Sequence, residues 1–269
     1  MKQLVYYSVS NHVGYLQMMK YSMMTLRQKG EYEGDIILFT NIKDIPSSIQ
    51  NECIVKYVPG RCSPKNFKYE SREEIDFTEY DKVLYFDADI LFSSPVCHIF
   101  DMIEGNNFVH VRDTIRNMVA SCYLGFQEEV ASKVPWSNSG FYGTSGVIAD
   151  AFCKKWKQAM ICRNEHPWTT ITKSNYFLGS HLDEKKTAFS RGELHFYNDQ
   201  PAFNYLVIDQ FGKGNINLVQ LPESWARFLG GHHGHGMPEP GVVFSHYLDK
   251  KKLKTHYLKL MEISSLKFI

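Results

Sequence analysis

The chain has 269 residues, of which 43% are hydrophobic and 22% charged, so it can bury a sizeable core and has the composition of an ordinary globular protein. Its formal net charge of +1 excludes the strongly basic field of a typical nucleic-acid-binding domain, and we expect no nucleic-acid partner. No stretch approaches the ~18 consecutive apolar residues of a transmembrane helix.

The N-terminal residues and the cysteines predict the compartment. Residues 1–17 carry one lysine but lack the apolar run found in signal peptides. The six cysteines are scattered along the chain without a C-x-x-C pair. Scattered cysteines in a chain of this length are most simply reduced thiols, so we expect a cytoplasmic protein.

Strand-like and helix-like segments alternate in the first half of the chain. Strands are predicted at residues 4–9, 35–40, 54–58 and 82–86. A helix is predicted at 15–26, where apolar residues recur at helical spacing before Gly30, and another at 70–77. Such alternation indicates an α/β fold with a mainly parallel central sheet flanked by helices.

The second half is less regular. Its predicted elements are strands at 108–112, 139–148 and 241–244, and helices at 151–162, 201–207 and in the basic tail. We find no internal repeat and no linker-like composition, so we expect a single domain.

Two carboxylates, Asp87 and Asp89, follow the fourth predicted strand and have apolar residues on both sides. In parallel sheets, ligands bind at the carboxyl ends of the strands. An unpaired buried carboxylate costs several kcal/mol, so the pair needs compensation. A divalent cation such as Mn²⁺ or Mg²⁺ would supply it. The alternative is that the pair caps a solvated turn, a position that Asp favours.

The stretch DKVLYFDADILF resembles the D-x-D region of GT-A nucleotide-sugar glycosyltransferases. It is most similar to glycosyltransferase family 8, which contains glycogenin and bacterial lipopolysaccharide galactosyltransferases. The resemblance implies one Rossmann-like GT-A domain over 1–269, with a nucleotide-binding half (1–95), a sugar and acceptor half (96–252) and a basic helical tail (253–269). It also implies that the Asp pair binds Mn²⁺ or Mg²⁺.

Two more segments resemble the donor-binding parts of that family. SNHVGYLQMMKYSMMTL (10–26) resembles its first loop and helix, where an Asn and aromatic residues hold the nucleotide. Together with the end of the first strand, this implies nucleotide contacts from Ser8, Asn11, His12 and Tyr15. WSNSGFYGTS resembles the Asn-Ala-Gly segment, with Ser in place of Ala, and implies that Asn138 touches the donor sugar.

Two late segments complete the resemblance. NDQPAFN resembles the Asp-Gln motif and implies that Asp199 and Gln200 lie beside the reacting sugar as catalytic residues. The alternative for Asp199 is a helix N-cap before a proline. FSHYLDKKK resembles the His-x5-Lys segment and implies that His246 is the third metal ligand and Lys252 contacts the diphosphate. A structural role is the alternative for His246.

Three further features remain open between a functional and a surface role. Lys68 precedes the Asp pair, where related enzymes place a basic residue near the donor sugar, but it equally fits a solvated helix face. The histidines of the loop at 230–241 predict either a mobile lid or a metal site. The basic tail predicts a surface helix or, alternatively, peripheral contact with an anionic membrane.

The function implied by the resemblance is transfer of a hexose from a nucleotide-sugar, UDP-linked, to the hydroxyl group of a glycan or another acceptor. Family 8 enzymes retain the anomeric configuration, and the same is implied here. Asp199 or Gln200 would act as a nucleophile or would stabilise an ion pair. The alternatives are a retaining GT-A transferase of another family and a nucleotide-sugar-binding protein without transferase activity.

Overall fold

The computed structural model describes residues 1–59, 76–113, 133–161, 199–229, 241–247 and 250–266. The strands within these ranges are β1 Gln3–Val9, β2 Asp35–Thr40, β3 Ile54–Tyr57, β4 Lys82–Phe86, β5 Ile90–Phe92, β6 Asn107–Arg112, β7 Ser137–Ser145, β8 Asn217–Gln220, β9 Ala226–Leu229 and β10 Phe244–Tyr247. The α-helices are α1 Val13–Gln28, α2 Ser47–Gln50, α3 Cys97–Asp101, α4 Gly146–Ile161, α5 Asp199–Gly212 and α6 Lys250–Leu266. Most of the helix predicted at 70–77 falls outside the described residues.

A seven-stranded central sheet has the order β3-β2-β1-β4-β7-β6-β8. The α/β prediction and the four predicted strands of the first half are confirmed. Strands β1 to β4 are mutually parallel, but β7 runs antiparallel to both β4 and β6, so the sheet is mixed rather than uniformly parallel. Strand direction depends on the path of the connections, and the apolar pattern of a strand does not encode it.

A second, three-stranded sheet with the order β5-β10-β9 was not predicted. The last strand was predicted at 241–244, whereas β10 covers Phe244–Tyr247. Val242 and Val243 are buried, but the chain becomes a strand only where it can pair with β5 and β9. Backbone pairing between distant segments decides this boundary.

The boundary between β7 and α4 also differs from the predicted one. The apolar run predicted a strand at 139–148, but β7 ends at Ser145 and α4 begins at Gly146. A Cβ at position 146 would lie 2.0 Å from the carbonyl oxygen of Phe77 and 2.2 Å from that of Tyr80. The close approach of these backbones requires glycine, and the chain turns into the helix there.

The core lies on both faces of the central sheet. Alternate residues of β1 point to opposite faces: Leu4 and Tyr6 pack with α4 and α5, and Val5 and Tyr7 pack with α1. A third apolar cluster joins α1 to α6 and contains the stacked rings of Tyr21 and Tyr257, 4.1 Å apart. Among the described helices, none has the length and apolar content needed to cross a membrane.

Candidate metal centre

The carboxyl ends of β1, β2 and β4 lie at one edge of the central sheet. The three strands are parallel, and Tyr6 of β1 is opposite Tyr85 of β4. Asp87 begins the segment that leaves β4, and Asn11 lies in the loop that leaves β1. The predicted position of the Asp pair at the end of a buried strand is therefore confirmed, and the loop after β1 shares its edge.

The side chains of Asp87, Asp89 and His246 form one cluster, and one ligand atom from each lies within 4.8 Å of the others. His246 Nε2 is 3.1 Å from Asp89 Oδ1 and 3.9 Å from Asp87 Oδ2. The side chains are 18% exposed for Asp87, 25% for Asp89 and 7% for His246. The cluster is thus largely removed from water but keeps an opening on the side of the aspartates.

The pairing of β10 with β5 brings His246 to this cluster. His246 is opposite Ile90, and the amide of Tyr247 donates a 2.8 Å hydrogen bond to the carbonyl oxygen of Asp89. The amide of Ser93 bonds to the carbonyl oxygen of Val243 at 2.9 Å. His246 was expected just after a strand, but it lies inside one, and the strand itself fixes its position.

Gly140 of β7 lies directly against two of the three candidate ligands. A Cβ on this residue would lie 2.7 Å from His246 Cε1 and 2.8 Å from Asp87 Oδ2. The carbonyl oxygen of Gly140 accepts a 2.8 Å hydrogen bond from the amide of Asp87. Gly140 was not predicted as a site residue, although a glycine within an apolar strand signals close approach by another group.

The spacing of the cluster leaves room for a metal ion among its ligand atoms. Neighbouring ligand atoms ~2.1 Å from an ion are about 3 Å apart at right angles, close to the 3.1 Å from His246 Nε2 to Asp89 Oδ1. Two carboxylates and one neutral imidazole carry a net charge of −2, and their partial burial makes a cation favourable. When His246 is protonated, the same arrangement forms an ion pair. The cluster could hold a metal ion.

The chain matches no protein-family model and no curated protein.

Three of the predicted nucleotide-binding residues lie around the start of α1. His12 is the N-cap residue, and its Nδ1 accepts a 2.9 Å hydrogen bond from the amide of Gly14. Asn11 has a φ of 63° and is joined to Asn41 through two hydrogen bonds of 2.9 and 2.7 Å. Tyr15 is half-buried, with its ring 5.9 Å from that of His12. The loop after β1 is therefore held by the bonds to Asn41 and by the N-cap of α1.

Ser8 and Asn138 lie on the strands that border the site. Ser8 is half-buried in β1 and is opposite Phe39 of β2. Asn138 of β7 is buried, and its Oδ1 accepts a 2.8 Å hydrogen bond from the amide of Gly140. Since Gly140 also lies against Asp87 and His246, Asn138 is next to the cluster, and its contact with the donor sugar stays a prediction.

Asp199 and Gln200 form the first turn of α5, and their side chains are outside the described part of the structure. Asn204 holds this helix against β7: its Oδ1 accepts from the amide of Ser137 at 2.7 Å and its Nδ2 donates to the carbonyl oxygen of Ser137 at 2.8 Å. The link places the start of α5 near the strand that carries Asn138. The sequence did not indicate Asn204, because its partner is a backbone group 67 residues away.

The remaining predicted site residues are only partly described. Lys252 lies in α6 and is half-buried, and its charge contributes to lowering the pKa of His256. Lys68 and the histidines at 230–241 lie outside the described residues. The basic tail is a helix, as predicted, and packs on α1 through Tyr257.

Proposed function

We propose that this protein is a metal-dependent glycosyltransferase of GT-A fold, most like family 8. It transfers a hexose from a UDP-linked nucleotide-sugar to the hydroxyl group of a glycan or another acceptor, with retention. The observation that carries the proposal is the meeting of Asp87 and Asp89 with His246. The resemblance to family 8 required this late segment to return to the D-x-D turn, and the pairing of β10 with β5 supports that requirement.

Each proposed role combines what the resemblance to family 8 implies with the chemistry of the residue. Asp87, Asp89 and His246 would hold Mn²⁺ or Mg²⁺, and the imidazole ligand favours Mn²⁺. When bound, the ion neutralises negative charge on the departing diphosphate. Lys252 acts on the same phosphates as a point charge.

The donor itself would lie along the edge where β1, β2 and β4 end. Asn11, His12 and Tyr15 hold the nucleotide, and Ser8 borders it from β1. Asn138 contacts the sugar. Asp199 and Gln200, at the start of α5, act at the anomeric carbon as a nucleophile or by stabilising the positive charge that develops there.

The experiment that tests this function is a panel of nucleotide-sugars offered to the purified protein with and without Mn²⁺. A ligand at ~100 times its Kd stabilises the folded state by about 2.7 kcal/mol, which thermal unfolding detects. We expect stabilisation by UDP-sugars that depends on Mn²⁺, together with slow release of free sugar. No stabilisation by any nucleotide-sugar in the presence of Mn²⁺ would contradict the proposal.

A nucleotide-sugar-binding protein without transferase activity is the second candidate, and Asp199→Asn distinguishes the two. For a transferase, the variant releases sugar at a much lower rate while binding UDP with the parent affinity. For a binding protein, the parent stabilises with UDP-sugars but releases no sugar on any time scale, and Asp199→Asn behaves as the parent does.

A further inference from the structure

A buried tyrosine contacts the candidate metal ligand Asp87 from the side of the core. The hydroxyl of Tyr85 donates a hydrogen bond of 2.5 Å to Asp87 Oδ1, and Tyr85 is fully buried. The other carboxylate oxygen, Oδ2, faces His246 Nε2 at 3.9 Å and lies 2.8 Å from the position of a Cβ on Gly140. One oxygen of Asp87 is therefore engaged by the core and the other is directed to the cluster.

The ring of Tyr85 is fixed by its neighbours. Its centroid lies 4.9 Å from that of Tyr6 and 5.7 Å from that of Tyr142. The hydroxyls of Tyr6 and Tyr142 are hydrogen-bonded to each other, and Tyr142 Oη is also 3.2 Å from Cys153 Sγ. Of these three packed phenols, Tyr85 is the one whose described bond reaches the cluster, so its hydroxyl presents a rigid donor to Asp87.

We propose that Tyr85 is a positioning residue that orients the carboxylate of Asp87, so that Oδ2 is the oxygen it would offer to a metal ion. Because the phenol donates to Oδ1 and holds the carboxylate plane, rotating the carboxylate to bring Oδ1 to the ion as well would cost this hydrogen bond. The short bite of a bidentate carboxylate distorts the octahedral geometry that small ions such as Mg²⁺ prefer, whereas Ca²⁺ readily takes bidentate carboxylates and more ligands. The bond from Tyr85 therefore favours Mn²⁺ and Mg²⁺ over Ca²⁺. This inference rests on the metal site of the proposed function.

The test compares Tyr85→Phe with Tyr142→Phe. Both changes remove one hydroxyl from the same buried cluster and leave the ring in place, but the described bond to Asp87 is lost in Tyr85→Phe. Affinities for Mn²⁺ and for Ca²⁺ are measured by calorimetry on the metal-free full chain. The electron paramagnetic resonance spectrum of bound Mn²⁺ reports the symmetry of its ligands, and circular dichroism checks the fold of each variant.

Outer hydrogen bonds to metal ligands typically change affinity by 10- to 100-fold. We expect Tyr85→Phe to weaken Mn²⁺ by ~10-fold or more, to lower the ratio of Mn²⁺ to Ca²⁺ affinity and to alter the Mn²⁺ spectrum. We expect Tyr142→Phe to leave the Mn²⁺ affinity, the ratio of Mn²⁺ to Ca²⁺ affinity and the Mn²⁺ spectrum unchanged, even if its melting temperature falls.

Two results would overturn the inference while leaving the metal site intact: a Tyr85→Phe variant with the parent's Mn²⁺ affinity and ion preference, or a Tyr142→Phe variant with an equal defect. A parent protein that binds no Mn²⁺ would overturn the metal site itself and this inference with it.

Discussion

The backbone amide of Tyr247 is hydrogen-bonded to the carbonyl oxygen of Asp89 at 2.8 Å, which ties β10 to the turn that carries the two aspartates. The side chain of the same tyrosine contacts α6: its hydroxyl lies 2.9 Å from Nδ1 of the buried His256. Tyr247 thus links the C-terminal helix to the candidate metal site, and His246 beside it is held 3.1 Å from Asp89 Oδ1.

Replacing either aspartate should remove metal binding without unfolding the protein. In Asp87→Asn and Asp89→Asn, we expect Mn²⁺ affinity to fall by at least ~100-fold, more than for a change outside the ligand set. The metal-free variants should be as stable as the parent or more stable, because two neighbouring carboxylates repel each other. Calorimetric titration and urea unfolding measure the two quantities. Asp101→Asn, which changes an exposed aspartate, is the control, and parent-like Mn²⁺ binding in both site variants would exclude the metal site.

Gly140→Ala should block the site by volume alone, since the new methyl group would lie against Asp87 Oδ2 and His246 Cε1. We expect loss of Mn²⁺ binding with no change in net charge. Gly143→Ala on the same strand is the matched control. Its Cβ would lie 2.5 Å from Leu84 Cδ2, which predicts a loss of about 1–3 kcal/mol of stability through overpacking but retained Mn²⁺ binding. Equal Mn²⁺ affinity in parent and Gly140→Ala would show that the ion does not lie there.

Substitutions of Tyr247 and of its neighbour His246 should affect stability and metal binding differently. Tyr247→Phe removes the hydroxyl bonded to His256 and should destabilise the protein by about 1–3 kcal/mol, because a buried imidazole nitrogen loses its partner. Its backbone bond to Asp89 remains, so Mn²⁺ affinity should be unchanged. His246→Ala should do the opposite, with weak Mn²⁺ binding and a smaller change in unfolding free energy. Urea unfolding and Mn²⁺ titration of both variants test this contrast, which fails if Tyr247→Phe loses Mn²⁺ binding as fully as His246→Ala.

Buried His110 should make the protein less stable in acid. Burial lowers the pKa of His110 to about 4, and its Nδ1 lies 2.7 Å from Ser137 Oγ. As pH falls below ~6.5, the pKa of a histidine in the unfolded chain, His110 binds a proton in the unfolded chain but not in the folded one. Stability therefore falls with pH until about 4, by about 3 kcal/mol in all.

The control for this pH dependence is His110→Asn, which keeps a polar group near Ser137 but does not titrate. We expect its stability to change less than the parent's between pH 7 and pH 4 in urea unfolding without metal. The pKa of His256 is also lowered, first by burial and then by Lys259 and Lys252, so the difference between parent and variant is the quantity to compare. Parallel curves for the two proteins would contradict the assignment to His110.

Much of the N-terminal half of the fold could be predicted from the sequence alone. The apolar runs of β1, β2, β3 and β4 and the helical spacing in α1 are local patterns, and they predict an α/β sheet whose strand ends carry Asp87 and Asp89. Burial of the residues around the pair was readable as well, because Phe86 and Ile90 are apolar and both are fully buried. Local hydrophobic periodicity carries this information without reference to distant residues.

The tertiary structure alone decided which distant groups meet. The pairing of β5 with β10, the antiparallel direction of β7 and the space left by Gly140 all depend on backbones far apart in the chain. The bond from Tyr85 to Asp87 joins near neighbours, but only the packing of three tyrosine rings orients it. The sequence by itself indicated the candidate ligands and the strand that leads to the two aspartates. Register and packing, which arise from long-range contacts, determined the geometry in which those ligands converge.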